Sequence, residues 1–243
     1  MLALLRLLLA IATFDPSPVS LPRARVRMGA SVRTGIDRPE QDEGPARLVE
    51  VAAFTLDRTE VTRGAYTACV LAGACVRRQV MWTDLLSRLP MTDVRWSEAA
   101  AYCRAVGGRL PTELEWERAA RGTGSQTYPW GDAPDCARAN WGNYEGEGRC
   151  PDNPGRPVAV ASYPPSSDGL YDLAGNVWEW TADYYGRSHT APTPRGAEEL
   201  GRAPRRSVRG GACCSILAAP RTANRVGWPE DYRDTDLGFR CAR

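Results

Sequence analysis

Lysine is absent from the 243 residues: all 31 basic side chains are arginines. A chain without lysine has no Schiff-base nucleophile and no amine general base, which removes a set of mechanisms at once. Histidine is nearly absent, with His189 as its one representative. A metal held by two or three imidazoles and a facial two-histidine iron site are therefore excluded, and a Ser-His-Asp triad would have a single imidazole to draw on. Blocks of like charge are also missing. The 31 basic and 29 acidic residues are spread along the chain and leave a formal net charge of +2, so no concentrated field for nucleic acid arises and none is expected as a partner.

What is present is an ordinary globular composition, 43% hydrophobic and 25% charged, in a chain long enough for one large domain or two small ones. The opening run MLALLRLLLAIA has the length and apolarity of an export signal and is too short to anchor in a bilayer. Residues 1–20 are accordingly read as a signal peptide and 21–243 as the folded domain, with no membrane span in the mature chain. Arg6 interrupts the run and the small-residue pattern at Ala10 to Ala12 is approximate, so an apolar N-terminal strand is the alternative reading. Eight cysteines suit an oxidising, extracytoplasmic compartment, and their even number permits full pairing among on the order of a hundred connectivities.

The segment from Arg47 to Leu56, RLVEVAAFTL, reads as a strand, and a short helix follows with Tyr66, Cys69 and Val70 on one face. Cys69 and Cys75 flank a turn at Gly73, a spacing at which a small disulfide loop closes easily; a zinc knuckle would need a second such pair nearby. SEAAAYCRAVGG predicts a helix capped by Ser97 and ended at Gly107, with Tyr102 and Cys103 toward the core. In RLPTELEWERAARG, Thr112 and Glu115 form a capping box, Leu114, Ala119 and Ala120 supply an apolar stripe with Trp116 on its flank, and Gly122 closes the helix. From Thr123 to Tyr185 glycine, proline, asparagine and tryptophan are scattered without sustained periodicity, so this half is expected to be loop-rich and ordered by disulfides or bound cations. Gly186 to Arg206 reads as an exposed loop, because strand-like SVRGGA and LGFRCA follow it.

The ordered series FTLDRTEVTRGAY, PMTDVRWSEAAAYCRAVGGRLPTELEWERAARG, YPWGD, GLYDLAGNVWEWTADYY, SVRGGA and LGFRCAR resembles the formylglycine-generating enzyme or sulfatase-modifying-factor family from about Met28 to Arg243. That resemblance implies an α+β fold of C-type-lectin-like topology, a loop-rich single domain with little regular secondary structure. Catalytic members of the family oxidise a sulfatase cysteine to formylglycine with molecular oxygen and copper bound by two cysteines, separated by four residues, shortly after a Gly-Gly pair. Here the corresponding stretch GGACCSILAAPRTANR carries Cys213 and Cys214 side by side and no other cysteine. Neighbouring residues in an extended segment point to opposite faces, so copper is not expected, and a vicinal disulfide, or one thiol paired elsewhere, is the more natural outcome. The resemblance also implies a Cys103–Cys241 disulfide; proximity then pairs Cys69 with Cys75 and Cys136 with Cys150, leaving Cys213 and Cys214 as the odd couple. A pure disulfide framework with no reactive thiol is the preferred reading, and Cys213 and Cys214 are the only candidates for residual catalysis.

By the same resemblance, the side chains of Asp172 and Glu179 with the carbonyls of Gly175 and Val177 form a structural calcium site, and Asn140 with Trp141 begins a second one whose acidic member falls near Cys150 or Asp152. Polar turns without metal are the alternative at both. Trp178, Arg225 and the segment from Ala212 to Ser215 are the residues expected to line any surviving groove, with Arg225 equally able to serve as an ion-pair partner within the fold. Two functions follow: an exported, non-catalytic module that binds a protein or peptide or assists an enzyme, and, alternatively, an oxidoreductase of the same family using another site. Iron-dependent sulfur chemistry of ergothioneine-synthesising relatives is set aside by the single histidine.

Overall fold

Local sequence signals start and stop the helices. In the computed structural model, which describes residues 17–30, 42–76, 82–142, 150–186, 204–215 and 219–243, α1 spans Arg63–Leu71. The Thr62 hydroxyl caps it by accepting the Ala65 N–H at 3.1 Å, and Gly73, at φ 71°, turns the chain out of it. A 3-10 turn follows at Trp82–Leu86. Helix α2, Trp96–Ala105, starts ahead of the expected Ser97 cap, because Glu98 reaches back to accept the Arg95 N–H at 2.9 Å and so makes Arg95 the capping position. In α3, Glu113–Arg121, the expected box forms: the Thr112 hydroxyl accepts the Glu115 N–H at 3.2 Å and the Glu115 carboxylate accepts the Thr112 N–H at 2.8 Å. Trp116 lies fully buried at the helix centre, not on its flank, because a strand layer covers that face.

Strands β1 (Val19–Leu21) and β4 (Phe54–Leu56) pair antiparallel, as do β2 (Ala24–Met28) and β3 (Arg47–Val51). The stretch expected as one strand is thus two, broken at Ala52 and Ala53 where the chain leaves β2 for a different partner, β1. Val19 and Ser20, inside the segment assigned to a leader, lie in a strand; residues 1–16 lie outside the described residues. Four further strands, β5 (Trp178–Tyr184), β6 (Arg205–Arg209), β7 (Arg225–Pro229) and β8 (Leu237–Gly238), form a sheet in the order β7-β6-β5-β8, parallel only between β5 and β8.

Two large apolar cores form among the described residues, with a smaller cluster of Ala139, Trp141, Cys150 and Ala174 beside them. One packs α1 and α2 against the four-stranded sheet through Tyr66, Tyr102, Val94, Trp180, Val208, Leu237 and Phe239. The other packs α3 against the small strand pairs through Leu21, Val26, Met28, Leu56, Trp116 and Leu170, each large side chain contributing about 1.5–3 kcal/mol of burial. The chain end is woven between them: Thr55 and Arg243 exchange backbone hydrogen bonds at 2.8 Å, and Cys241 is joined to Cys103 of α2. Disulfides also join Cys69 to Cys75 and Cys136 to Cys150, the latter gathering the loop beyond α3. Among the described residues no helix is long and apolar enough to cross a membrane.

Candidate functional site

The loop Asp172 to Asn176 is the junction of the fold. Asp172, Gly175 and Asn176 all take left-handed backbone conformations, at φ 56°, 77° and 62°. At Gly175 a Cβ would run into the Asn140 carbonyl, so glycine is required there. Asn176 carries the strain of a left-handed non-glycine residue because its side chain is fully used. Its Nδ2 donates to Glu60 Oε1 at 2.9 Å and to the Val158 carbonyl at 3.4 Å, while Oδ1 accepts from Val158 N at 2.9 Å and Asn140 Nδ2 at 3.2 Å. Its backbone N–H reaches the Asn140 carbonyl at 2.8 Å and its carbonyl accepts the Cys213 N–H at 3.1 Å. One buried amide therefore ties four separate segments together.

Asp172 of this loop, half-buried, and the buried Glu60 and Glu179 beneath it place three carboxylates against one guanidinium, Arg240. Glu179 is committed: Arg240 donates to its two oxygens at 2.7 and 2.8 Å, and the Trp116 indole donates to it at 2.8 Å. Asp172 accepts the Ala161 N–H at 2.8 Å, and burial pushes its carboxyl above the ordinary aspartate range. Burial, with the Asp172 carboxylate beside it, pushes Glu60 well up, and Glu60 Oε2 has no hydrogen-bond partner among the described residues. Such a surplus of buried negative charge has to be met by protons or by a cation. A shared proton lets Asp172 and Glu60 hydrogen-bond each other, and among the described residues no group of three or more His, Cys, Asp or Glu side chains is placed to hold a metal ion; the oxygens of Glu179 already serve Arg240 and Trp116. Asn140 of the second expected calcium site is buried with Oδ1 unpartnered among the described residues, while Asp152, the acidic residue expected to complete the site, is exposed; residues 143–149 between them lie outside the described residues.

The cysteine turn follows β6 and packs against the junction, the Gly175 N–H donating to the Gly210 carbonyl at 2.8 Å. Gly210 and Gly211, at φ 98° and 72°, let it pass against Trp116 and the Ala219 backbone, where a Cβ would stand 3.1 and 2.9 Å from its nearest neighbours. Cys213 and Cys214 then sit in a tight turn, not in extended chain, which corrects the expectation that their side chains diverge: the two Sγ atoms are 3.3 Å apart. Neither is in a disulfide, so the fully paired framework is corrected as well. Cys213 is buried and Cys214 exposed, and Cys214 Sγ donates to the Gly155 carbonyl at 3.2 Å. Burial, with Cys214 beside it, pushes the Cys213 thiol up, so it is protonated at neutral pH. Asn153 Nδ2 fixes the turn from outside by donating to the Cys213 carbonyl at 2.8 Å, and the Ser215 hydroxyl accepts the Ala212 N–H at 2.8 Å.

The other expected groove residues are not all gathered here. Trp178 is 8% exposed and packs edge-on against Trp228 with ring centroids 5.6 Å apart, while its N–H binds the Asp236 carbonyl. Arg225 serves the fold: it forms a two-pronged pair with Glu113 at 2.6 and 2.7 Å and donates to the Gly186 carbonyl at 2.7 Å. Sequence reasoning did not find the buried acids Glu43, Glu60, Glu113 and Glu117; the spacing of Glu113 and Glu117 on one helix face, in a chain whose only cations are arginines, was the available signal.

Fold and site together define a loop-rich α+β domain of C-type-lectin-like topology in which a Gly-Gly pair leads into a cysteine turn. The chain belongs to the formylglycine-generating enzyme family: the family model described as "Sulfatase-modifying factor enzyme 1-like domain" matches residues 12–243. It is 40% identical to "Inactive C-alpha-formylglycine-generating enzyme 2" of Bos taurus, over 92% of this chain and 87% of that one. It is 30% identical to "Formylglycine-generating enzyme" of Streptomyces coelicolor, over 92% and 88%. Among solved structures, PvdO from Pseudomonas aeruginosa superposes with a TM-score of 0.74 at 25% identity, covering 96% of each chain, and Treponema denticola variable protein 1 with 0.70 at 20%, covering 93% and 94%.

Proposed function

We propose that the chain is an exported, non-catalytic binding or accessory module of this family, with a protein or peptide as its ligand. The observation that carries the reading is the cysteine turn. Two sulfurs on opposite sides of one soft ion stand ~4.6 Å apart for metal–sulfur bonds of ~2.3 Å. Here they touch at 3.3 Å, on one side of a turn, with one buried and protonated. That a 40% identical relative is itself named inactive supports the same reading. Three disulfides support an extracytoplasmic setting. Calcium is the proposed structural ion, with Asp172 and the carbonyls of Gly175 and Val177 as the ligands the resemblance implies; Glu179, the other expected ligand, is engaged by Arg240, and the ion's role is to neutralise buried carboxylates.

The test is a turnover assay on a cysteine-containing sulfatase peptide with copper(I) and oxygen, read by mass spectrometry. The peptide is expected to keep its thiol; conversion of its cysteine to the aldehyde overturns the reading in favour of an oxidoreductase with a non-standard site, for which the unbonded Cys214 thiol is the one supporting feature.

A further inference from the structure

Between the turn at Trp130 and the segment 164–166 lies an open cleft of about 280 Å3. Trp130, Pro164, Pro165, Leu170 and Leu173 give it apolar walls, and Arg138 and Asp172 are the two charged residues that line it. We propose that this cleft takes the C-terminal residue of a peptide, with an apolar side chain against the walls and the terminal carboxylate on Arg138. The proposal rests on the reading of the chain as a peptide-binding module and names the part of the peptide that is held.

The charge selects the chain end. Arg138 is half-buried, and among the described residues its guanidinium makes no hydrogen bond and no ion pair, whereas Arg118, Arg121, Arg209, Arg225 and Arg240 each hold a carboxylate. A planar fork of free donors beside apolar walls fits a carboxylate through two parallel bonds. An aspartate or glutamate side chain brings a carboxylate but no apolar group on the same residue; a C-terminal leucine or phenylalanine brings both. Asp172, the opposite charge in the lining, is already engaged: its Oδ2 accepts the Ala161 N–H at 2.8 Å, and a shared proton joins it to Glu60. Arg138 is therefore the charge that a ligand meets.

The walls are built before a ligand arrives, which lowers the ordering cost of binding. The Trp130 indole donates to the Ala133 carbonyl at 2.9 Å and stacks on Tyr128 with ring centroids 5.4 Å apart. On the other wall, the Ser166 N–H donates to the Leu170 carbonyl at 2.7 Å and the Gly169 N–H to the Ser166 carbonyl at 2.9 Å, closing a turn. Arg138 itself is placed by its N–H, which donates to the Asp135 carbonyl at 3.2 Å, in the loop that the Cys136–Cys150 disulfide gathers. Volume sets the reach. A cleft of about 280 Å3 falls just below the ~300–1,000 Å3 of sites for drug-sized ligands, so it holds one terminal residue and the peptide bond before it. Capture of a chain end by its carboxylate is a recurring mode of peptide recognition.

The experiment titrates N-acetyl-glycyl-leucine and its C-terminal amide, up to about 10 mM, against the full chain and follows the leucine methyl signals by NMR. The acid is expected to bind at least about tenfold more tightly than the amide, the low end of what a hydrogen bond to a charged group gives. N-acetyl-glycyl-glycine, which keeps the carboxylate and lacks the side chain, is expected to bind at least about tenfold more weakly than the leucine compound. Arg138→Gln is expected to bring the acid down to the level of the amide with an unchanged Tm, since no partner within the fold is lost. No binding to the wild type, equal binding of acid and amide, acid binding unaffected by Arg138→Gln, or displacement of the leucine compound by equimolar inorganic phosphate overturns the proposal. The acid and amide titrations on the wild type decide the matter where Arg138→Gln does not fold. A cleft that takes no chain end, in a protein that leaves the sulfatase peptide unconverted, refutes this site alone; conversion of that peptide with acid-selective binding intact refutes the non-catalytic reading alone.

Discussion

Asn176 is the residue whose removal the structure prices most directly. Asn176→Ala deletes four side-chain hydrogen bonds and leaves the Val158 N–H, Asn140 Nδ2 and Glu60 Oε1 without that partner in a buried setting. An unsatisfied buried group costs about 1–3 kcal/mol, and relaxation around the gap recovers part of it, so the loss is about 4 kcal/mol. Alanine must also hold φ near 62°, which adds about 1 kcal/mol that Asn176→Gly avoids. For a domain of this length each kcal/mol shifts Tm by about 2–4 °C, so Asn176→Ala is expected to melt about 10–20 °C below the wild type and Asn176→Gly a few degrees above the alanine variant. Thermal unfolding by circular dichroism without reductant, with urea titration for the free energy, measures both. If the alanine variant melts within about 3 °C of the wild type, the loop is not the junction argued above; if the glycine variant is the less stable, backbone strain plays no part.

The two-pronged Glu113 pair makes Arg225→Lys a non-conservative change: a point charge replaces a planar fork, the Gly186 contact is lost, and a stability loss of about 2–3 kcal/mol is expected by urea titration, with an unchanged midpoint counting against the assignment. Asp236 is pushed up to about 6 by burial and by the neighbouring Asp234, from an ordinary 3.8. The folded state therefore binds this proton more tightly than the unfolded one, the stabilisation is complete below about pH 4, and it is lost as pH rises through 6; for this partly exposed group, screened by solvent, it amounts to roughly 1 kcal/mol. Asp236→Asn should flatten that slope, and a pH-stability curve unchanged by the substitution would reject the assignment. Calcium at a hundredfold excess over its dissociation constant should raise Tm by about 5–10 °C over protein in chelator, and by much less in Asp172→Asn. No difference between calcium and chelator would leave the carboxylates neutralised by protons instead.

Much of the scaffold was legible because it is written locally. The capping box of α3 is set by a hydroxyl and a carboxylate within three residues and formed as read, whereas the equally local Thr62 cap of α1 was not read. The start of α2 was misplaced because Ser97 has the chemistry of a cap while Glu98 supplies the actual contact, to Arg95. The break at Ala52 was invisible for a different reason: nothing in RLVEVAAFTL says that its two halves face different partners. Resemblance supplied the Cys103–Cys241 pairing across 138 residues, which no local rule could choose. The cysteine turn was misread because the extended-chain rule was applied to a stretch that two left-handed glycines and the Asn176 carbonyl bend into a turn. Whether two adjacent thiols diverge or meet depends on that bend, and the atoms that impose it are distant in sequence.

The absence of lysine acquires a structural meaning at this point. Four arginines of the last stretch of chain, Arg209, Arg221, Arg225 and Arg240, each reach a buried glutamate from an earlier stretch: Glu117, Glu43, Glu113 and Glu179 in turn. Buried pairs add little net stability, since desolvation consumes most of the attraction. Their value is that a mispaired arrangement leaves a charge buried and alone, at several kcal/mol, so each pair selects one position for one loop. The planar guanidinium can do this while also donating to backbone carbonyls, as Arg209 does to Ala223 and Asn224 and Arg240 does to Tyr171. An ammonium, with three donors around a point and a greater hydration cost, could not satisfy the carboxylate and the carbonyls together. In a domain with so little regular secondary structure, it is this directional pairing that gives the loops around Asn176 and Cys213 a single arrangement.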